Sequence, residues 1–304
     1  MKLLKYVFLL FILTIISCKD AKPDTKPDTI DSKDISENVK KTVTLKQLWK
    51  TDTLLTTCEA VRFNAEKNVV YVSNMGAVPP DAKDGDGTLS ILYTNGKVLT
   101  QNWVTGLNAP KGINIYNGKL YVADIDEVVK IDVETGTIEK HIKIEGAKFL
   151  NDLDIDTNGN VFVTDTRNNK IHKITNDKVS VWKTFTDFNP NGIFVEDNRI
   201  LAVSYSKGDF IAIDKVTKKE KLLASGINGG DGIVSIAEGY IISTWPGEVY
   251  FASKHLKGEV ATKILDTKDA KINAADISII PKTNVLLIPT FFANTVDAYQ
   301  INVE

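Results

Sequence analysis

The sequence predicts an all-β fold, a six-bladed β-propeller closed by its N-terminal strand, and three observations carry that expectation. Short apolar strands begin at Val61, Ile113, Leu153, Ile193, Ile233 and Ile277, at spacings of 52, 40, 40, 40 and 44 residues. Strand-built repeats of about 40 residues are the signature of propeller blades. No stretch of the region carries a long helical pattern. The sixth copy ends after its third strand, whereas Val43 to Trp49 lies ahead of the first copy and belongs to no repeat. That leftover strand is expected to complete the last blade, since closing the ring removes the exposed edges of an open array. An open β-solenoid, the rival architecture, needs no split blade.

The elements read in order as follows. Lys2 and Lys5 precede an apolar run from Tyr6 to Ile16, then Ser17 and Cys18, the layout of a secretory signal over residues 1–17. Ile15-Ile16-Ser17-Cys18 is similar to the bacterial lipobox, so Cys18 is the expected lipidation site. Acyl chains there hold a protein at a membrane, each buried methylene contributing about 0.8 kcal/mol. Residues 18–42 contain a repeated Lys-Pro-Asp-Thr and no aromatic residue, and they cannot bury enough apolar surface to fold. They read as a tether with a reach of roughly 25 to 30 Å. Lys19-Asp20 resembles signals associated with surface display in some bacterial groups. The expected location is the cell envelope, lipid-anchored to a bacterial membrane and facing the periplasm or the surface. No other stretch is apolar and long enough to span a bilayer.

Residues 43–304 form the propeller domain. In each copy a polar turn follows the innermost strand, as in Tyr116-Asn117-Gly118-Lys119 and Thr157-Asn158-Gly159-Asn160, and Asn-Gly suits a tight hairpin. Branched or aromatic second strands come next, such as Leu120 to Ala123, Val161 to Thr164 and Ile200 to Val203. Third strands appear at Val128 to Ile131, Lys170 to Ile174, Phe210 to Ile213, Val249 to Ala252 and Val296 to Ile301, and most copies add a fourth. With Cys18 lipidated, Cys58 is the remaining cysteine and no intramolecular disulfide is expected. Without the two signal lysines, 35 basic residues face 39 acidic ones, a net charge near −4. That balance argues against a nucleic-acid stripe or an anionic-lipid patch.

Two residues before each innermost strand's first apolar position stand Glu59, Lys111, Asn151, Asn191, Asp231 and Ala275. A propeller places equivalent positions around one axis, so four oxygen-bearing side chains up to 172 residues apart are expected to converge. Oxygen donors without histidine or cysteine suit a hard divalent cation, calcium before magnesium or manganese, and disfavour zinc. Without a metal, Lys111 could instead pair with Glu59 and Asp231 as a structural plug.

These residues carry a resemblance to the regucalcin and gluconolactonase family. It rests on Glu59 in Cys-Glu-Ala-Val, Asn151 in Leu-Asn-Asp-Leu-Asp-Ile-Asp-Thr-Asn-Gly, Asn191 in Asn-Pro-Asn-Gly-Ile and Asp231 in Gly-Asp-Gly-Ile, and it spans the whole propeller. The resemblance implies a metal held by Glu59, Asn151, Asn191 and Asp231, with Asp231 as general base in the hydrolysis of lactones or related esters. Three features depart from that pattern. Phe149 stands where lactonases of the family often carry a substrate-binding arginine, Lys111 occupies a ring position, and the anchor and tether are unlike the soluble members.

Asn74, Asp124, Asp165, Tyr205 and Trp245 follow the second strands at matching phase and read either as pocket walls or as strand-end residues. Lys111, Asp165, Arg167, Tyr205 and Trp245 form the candidate substrate-binding set, Arg167 standing in for the missing arginine. Asp84-Gly85-Asp86-Gly87 lacks the donor spacing of an EF-hand and reads as a solvated loop. Ser225 to Gly230 is glycine-rich, but no lysine-serine or lysine-threonine follows, so nucleotide binding is not expected. His141, His172 and His255 read as surface residues. The alternative function is a non-catalytic, envelope-anchored binding propeller similar to the NHL-type repeats.

Overall fold

Branched and aromatic runs joined by tight turns leave the backbone one economical way to satisfy its hydrogen bonds, the antiparallel hairpin. Between the strands Pro110–Tyr116 and Lys119–Asp124, Asn117 and Gly118 both adopt positive φ, 48° and 69°, as a two-residue hairpin turn requires. The structure, a computed structural model, describes residues 41–304. The expected signal segment, the expected lipidation site Cys18 and all but the last two residues of the expected tether lie outside the described residues.

Six four-stranded antiparallel sheets follow one another along the chain. Blades 1 to 5 each use four consecutive strands, beginning with the inner strands Cys58–Asn64, Pro110–Tyr116, Leu150–Ile155, Pro190–Val195 and Gly230–Ser235. Blade 6 takes Ser278–Ile280, Val285–Pro289 and Val296–Val303 from the C-terminus and Val43–Lys50 as its outermost strand. Val43 pairs with Val303 and Lys50 with Asp297, so the ring closes through the N-terminal strand and is not an open solenoid. Apart from a short 3-10 turn at Thr166–Asn168 the described residues contain no helix, and none is long and apolar enough to cross a membrane.

Each blade is too thin to bury its own apolar faces, so the cores lie between blades. Six hydrophobic clusters occupy the six interfaces, from Tyr71, Leu89 and Val122 between blades 1 and 2 to Val61, Leu287 and Ala298 between blades 6 and 1. Cys58 belongs to the last of these. It is a buried free thiol donating to the Thr295 carbonyl at 3.0 Å, and burial pushes its pKa up to about 12.

Toward the axis, at Gly192 and Gly232, the inner strands approach too closely to admit a side chain. A Cβ on Gly192 would lie 1.6 Å from the Asp231 carbonyl oxygen, and one on Gly232 would lie 2.4 Å from the Ile277 amide nitrogen. Side chains then lace neighbouring inner strands together around the channel. The Arg62 Nε donates to the Ile113 carbonyl at 2.9 Å, Asn114 donates to Asp154, and Asp154 accepts from the Val195 amide at 2.6 Å. The ring positions are therefore held from both sides.

Candidate functional site

The inner strands start with an irregularity that aims the ring residues. In blades 2 to 5 the register with the second strand jumps between Pro110 and Ile113, Leu150 and Leu153, Pro190 and Ile193, and Gly230 and Ile233. Lys111, Asn151, Asn191 and Asp231 fall in these jumps, where a bulge turns a side chain out of the ladder. Second-strand hydroxyls replace the lost ladder bonds. Thr164 Oγ1 accepts from the Asp152 amide at 3.0 Å and donates to the Asn191 carbonyl at 2.8 Å. Ser243 does the same for Gly232 and Ala275, and the Ser73 hydroxyl accepts from the Ala60 amide. These positioning hydroxyls carry no pattern in the sequence beyond being polar residues within apolar strands.

The same loops are clamped from behind by the strand-end aspartates. Asp124 accepts from the amides of Asn108 and Ala109, both at 2.8 Å, just ahead of Lys111. Asp165 accepts from the amides of Phe149 at 3.0 Å and Lys148 at 3.3 Å, and from the Asn168 side chain at 2.7 Å. Its carboxylate is fully buried and faces this loop, so the structure does not bring Asp165 to the cavity. His172, read from sequence as a surface residue, is in fact buried, with Nε2 3.4 Å from Asp165. Its strand packs a polar side chain inward because the aspartate is there to receive it.

Glu59, Lys111, Asn151, Asn191 and Asp231 line one cavity of about 470 Å³ at the mouth of the channel, and each is at least nine-tenths buried. Among the described residues six buried side-chain oxygens have no hydrogen-bond partner. Four of the six are Glu59 Oε2, Asn151 Oδ1, Asn191 Oδ1 and Asp231 Oδ1. Buried oxygens are nearly always paired, and four orphans around one cavity mark a place for a cation or ordered water. Two carboxylates and two amide oxygens are a donor set that fits calcium, and fits magnesium or manganese with water completing the shell. Among the described residues no three His, Cys, Asp or Glu side chains gather as a metal site, so the two asparagines are as necessary to the set as the acids.

The electrostatics point the same way. Burial, and then the negative charges of Glu59 and Asp152, push the Asp231 carboxyl well above its ordinary range. Burial pushes Glu59 up to about 8, with Lys111 working against the shift. Beneath the ring two more aspartates, Asp152 and Asp276, are buried and raised chiefly by burial. So much acid in one dry place favours protonation unless a cation is near.

Lys111 does not plug the ring. Its ammonium turns to the Pro80 and Ala109 carbonyls, each at 2.9 Å, and lies 4.6 Å from the centre of the Phe149 ring. The described residues give it no carboxylate within ion-pair distance. Arg167 stacks against the same Phe149 ring at 4.2 Å and pairs with Asp81, so both cations stand at the cavity edge around one aromatic residue. Tyr205 and Trp245 also line the cavity. Sequence reasoning missed Met75, Val78, Pro80, Phe291 and Phe292, which supply most of the apolar wall. They sit on the connections between second and third strands. Met75 and Phe291 share the blade position of Tyr205 and Trp245, one residue beyond that of Asn74, Asp124 and Asp165, so the five residues read from sequence as one phase are in fact two.

No protein-family model matches the chain, and no curated protein matches it. Among solved structures it is similar to a catalytically inactive virginiamycin B lyase from Staphylococcus aureus determined with quinupristin, at 13% identity and a TM-score of 0.59 over 86% of this chain and 99% of that one. A streptogramin B lyase structure is similar at 13% identity and a TM-score of 0.59, over 86% of this chain and 98% of that one. A chain of a nidogen/laminin complex is similar at 13% identity and 0.54, over 72% and 78%. The chain is a six-bladed β-propeller. At this identity the likenesses speak for the fold alone.

Proposed function

We propose that the protein is a divalent-metal-dependent hydrolase of the gluconolactonase type, acting on lactones or related esters at the mouth of the propeller channel. The observation that carries the reading is the set of four orphaned oxygens, from Glu59, Asn151, Asn191 and Asp231, around one cavity. The resemblance of those four residues to the regucalcin and gluconolactonase ligand set supports it. A calcium ion there, or magnesium or manganese, would supply Lewis-acid polarisation of the carbonyl.

The chain's own groups supply the rest. Asp231, whose free oxygen faces the cavity, takes the proton of the attacking water and returns it to the leaving alkoxide. Phe149 and the Trp245 side limit access of bulk water, which strengthens every charge interaction inside. Tyr205 lines the wall and orients a polar atom of the substrate, while Lys111 and Arg167, bonded to the Pro80 and Ala109 carbonyls and to Asp81 respectively, lend positive charge beside Phe149. We further propose that the domain is held at a bacterial cell-envelope membrane through lipid on Cys18.

The test is an assay of the purified protein with calcium, magnesium or manganese against a panel of lactones and esters. Metal-dependent turnover that disappears in Asp231→Ala is the expected result. Equal rates for the two proteins, with or without metal, would remove the reading. The second reading, an NHL-like binding propeller without catalysis, draws on Lys111 and Ala275, which leave two of the six ring positions without an oxygen donor. High turnover on any lactone ends it.

A further inference from the structure

The walls of the cavity differ from its floor, and that difference bears on what the cavity takes. The ring oxygens are at the bottom, while the side nearest blades 5 and 6 is built from Trp245, Phe291 and Phe292. The three rings pack edge to face, with centres 5.7, 6.0 and 4.8 Å apart. Phe291 is buried and adopts φ of 48°, a left-handed backbone that a bulky residue rarely accepts. The loop holding it is braced. The Phe291 amide donates to the Cys58 carbonyl, the Asn294 side chain accepts from the Thr57 amide at 2.7 Å, and Thr290 and Thr295 bond each other at 2.8 Å. This bracing leaves Phe292 53% exposed at the mouth, a large apolar ring facing water.

Polar wall groups are largely committed elsewhere. Asn189 donates to the Thr166 carbonyl and accepts from Ser206, and the Thr166 hydroxyl donates to the Pro190 carbonyl. Arg167 is paired with Asp81. Apart from Tyr205, these walls offer a polyhydroxylated ring few free partners, and hydroxyls that lose water without gaining a partner are costly to bury.

We propose that the molecule this cavity takes carries an apolar alkyl or aryl group that seats on the Trp245, Phe291 and Phe292 wall, and that sugar lactones are poor ligands. The inference deepens the hydrolase reading and takes its lactone or ester head group from it.

The test uses the full chain with calcium and four binding probes that are not turned over: five-membered lactams bearing hydrogen, butyl or octyl, and a polyhydroxylated sugar lactam. Calorimetry is expected to show affinity rising roughly threefold to fourfold per methylene over the first several carbons. The sugar lactam is expected to bind more weakly than the butyl probe. Phe292→Ala should weaken the octyl probe far more than the unsubstituted one, and Phe292→Leu should restore most of the loss. Three results overturn the proposal: a sugar lactam that binds as tightly as the octyl probe, a chain-length gain that survives both Phe292→Ala and Trp245→Ala, or a Phe292→Ala defect confined to sedimentation with phosphatidylcholine vesicles. A chain-length gain without turnover of any lactone or ester supports the apolar-group proposal and removes the hydrolase reading.

Discussion

Asp165 ends the second strand of blade 3 and Asp231 opens the inner strand of blade 5; both are buried, yet the fold treats them in opposite ways. Burial alone pushes Asp165 upward, but His172, Asn168 and the amides of Phe149 and Lys148 hold its carboxyl below the ordinary range. Asp231 receives no such bonds at Oδ1, and burial together with Glu59 and Asp152 drives it well above that range. The first is a clamp whose lone pairs are consumed by the fold. The second keeps a lone pair free for something that is not the fold. Burial does not separate the clamping acid from the unpaired one here; hydrogen-bond satisfaction does.

The contrast can be broken at either residue. The largest effect is expected at Asp231, where replacement by Ala should lower metal-dependent turnover on the order of 10³-fold, the scale of a lost general base. Calcium titration should show the matching loss of affinity, while urea unfolding in EDTA should show the metal-free protein no less stable. Asp165→Ala should invert that result. Stranding buried amides at Phe149 and Lys148 is expected to lower unfolding free energy by about 2 to 4 kcal/mol. Calcium affinity should fall less than tenfold, roughly the lower limit for a lost outer-shell support.

A pH series sharpens the same comparison without changing the Asp165 clamp. Glu59, at about 8 when folded, keeps a proton that the unfolded chain releases near its ordinary value of 4.5. Its contribution to stability is therefore complete below that value and is lost as pH rises toward 8. Melting of the metal-free protein should drop by several degrees between pH 5 and 8, and saturating calcium or Glu59→Gln should flatten the slope. The smallest effect is expected from Lys111→Met. Its ammonium faces the Pro80 and Ala109 carbonyls, so removing this like charge should raise calcium affinity by less than about tenfold.

Much of the fold was legible because it repeats. The near-constant spacing of Val61, Ile113, Leu153, Ile193, Ile233 and Ile277 reflects one supersecondary unit copied around an axis, and the unpaired Val43 strand announced how the ring closes. The ring residues were legible for the same reason, since a shared phase within repeats becomes a shared position about the axis. What escaped notice repeats only in part or not at all. Phe291 shares a blade position with Met75, Tyr205 and Trp245 but with no common residue type, and Phe292 lies in the blade 6 connection beside it. The direction of Lys111 depends on the Pro80 carbonyl of the long blade 1 loop. Asp165 and His172 could not be told from pocket and surface residues because their partners come from other strands and turns.

By itself, then, the sequence determined the number of blades, the split sixth sheet and which side chains share the top of the inner strands, because period and phase are local properties of the chain. Tertiary structure alone decided which of those polar groups were left unpaired, which way Lys111 turned, and that an aromatic wall faces the acidic floor. Each of those outcomes depends on bulges, on close approach at Gly192 and Gly232, and on loops arriving from distant blades, and such contacts exist only once the ring has closed.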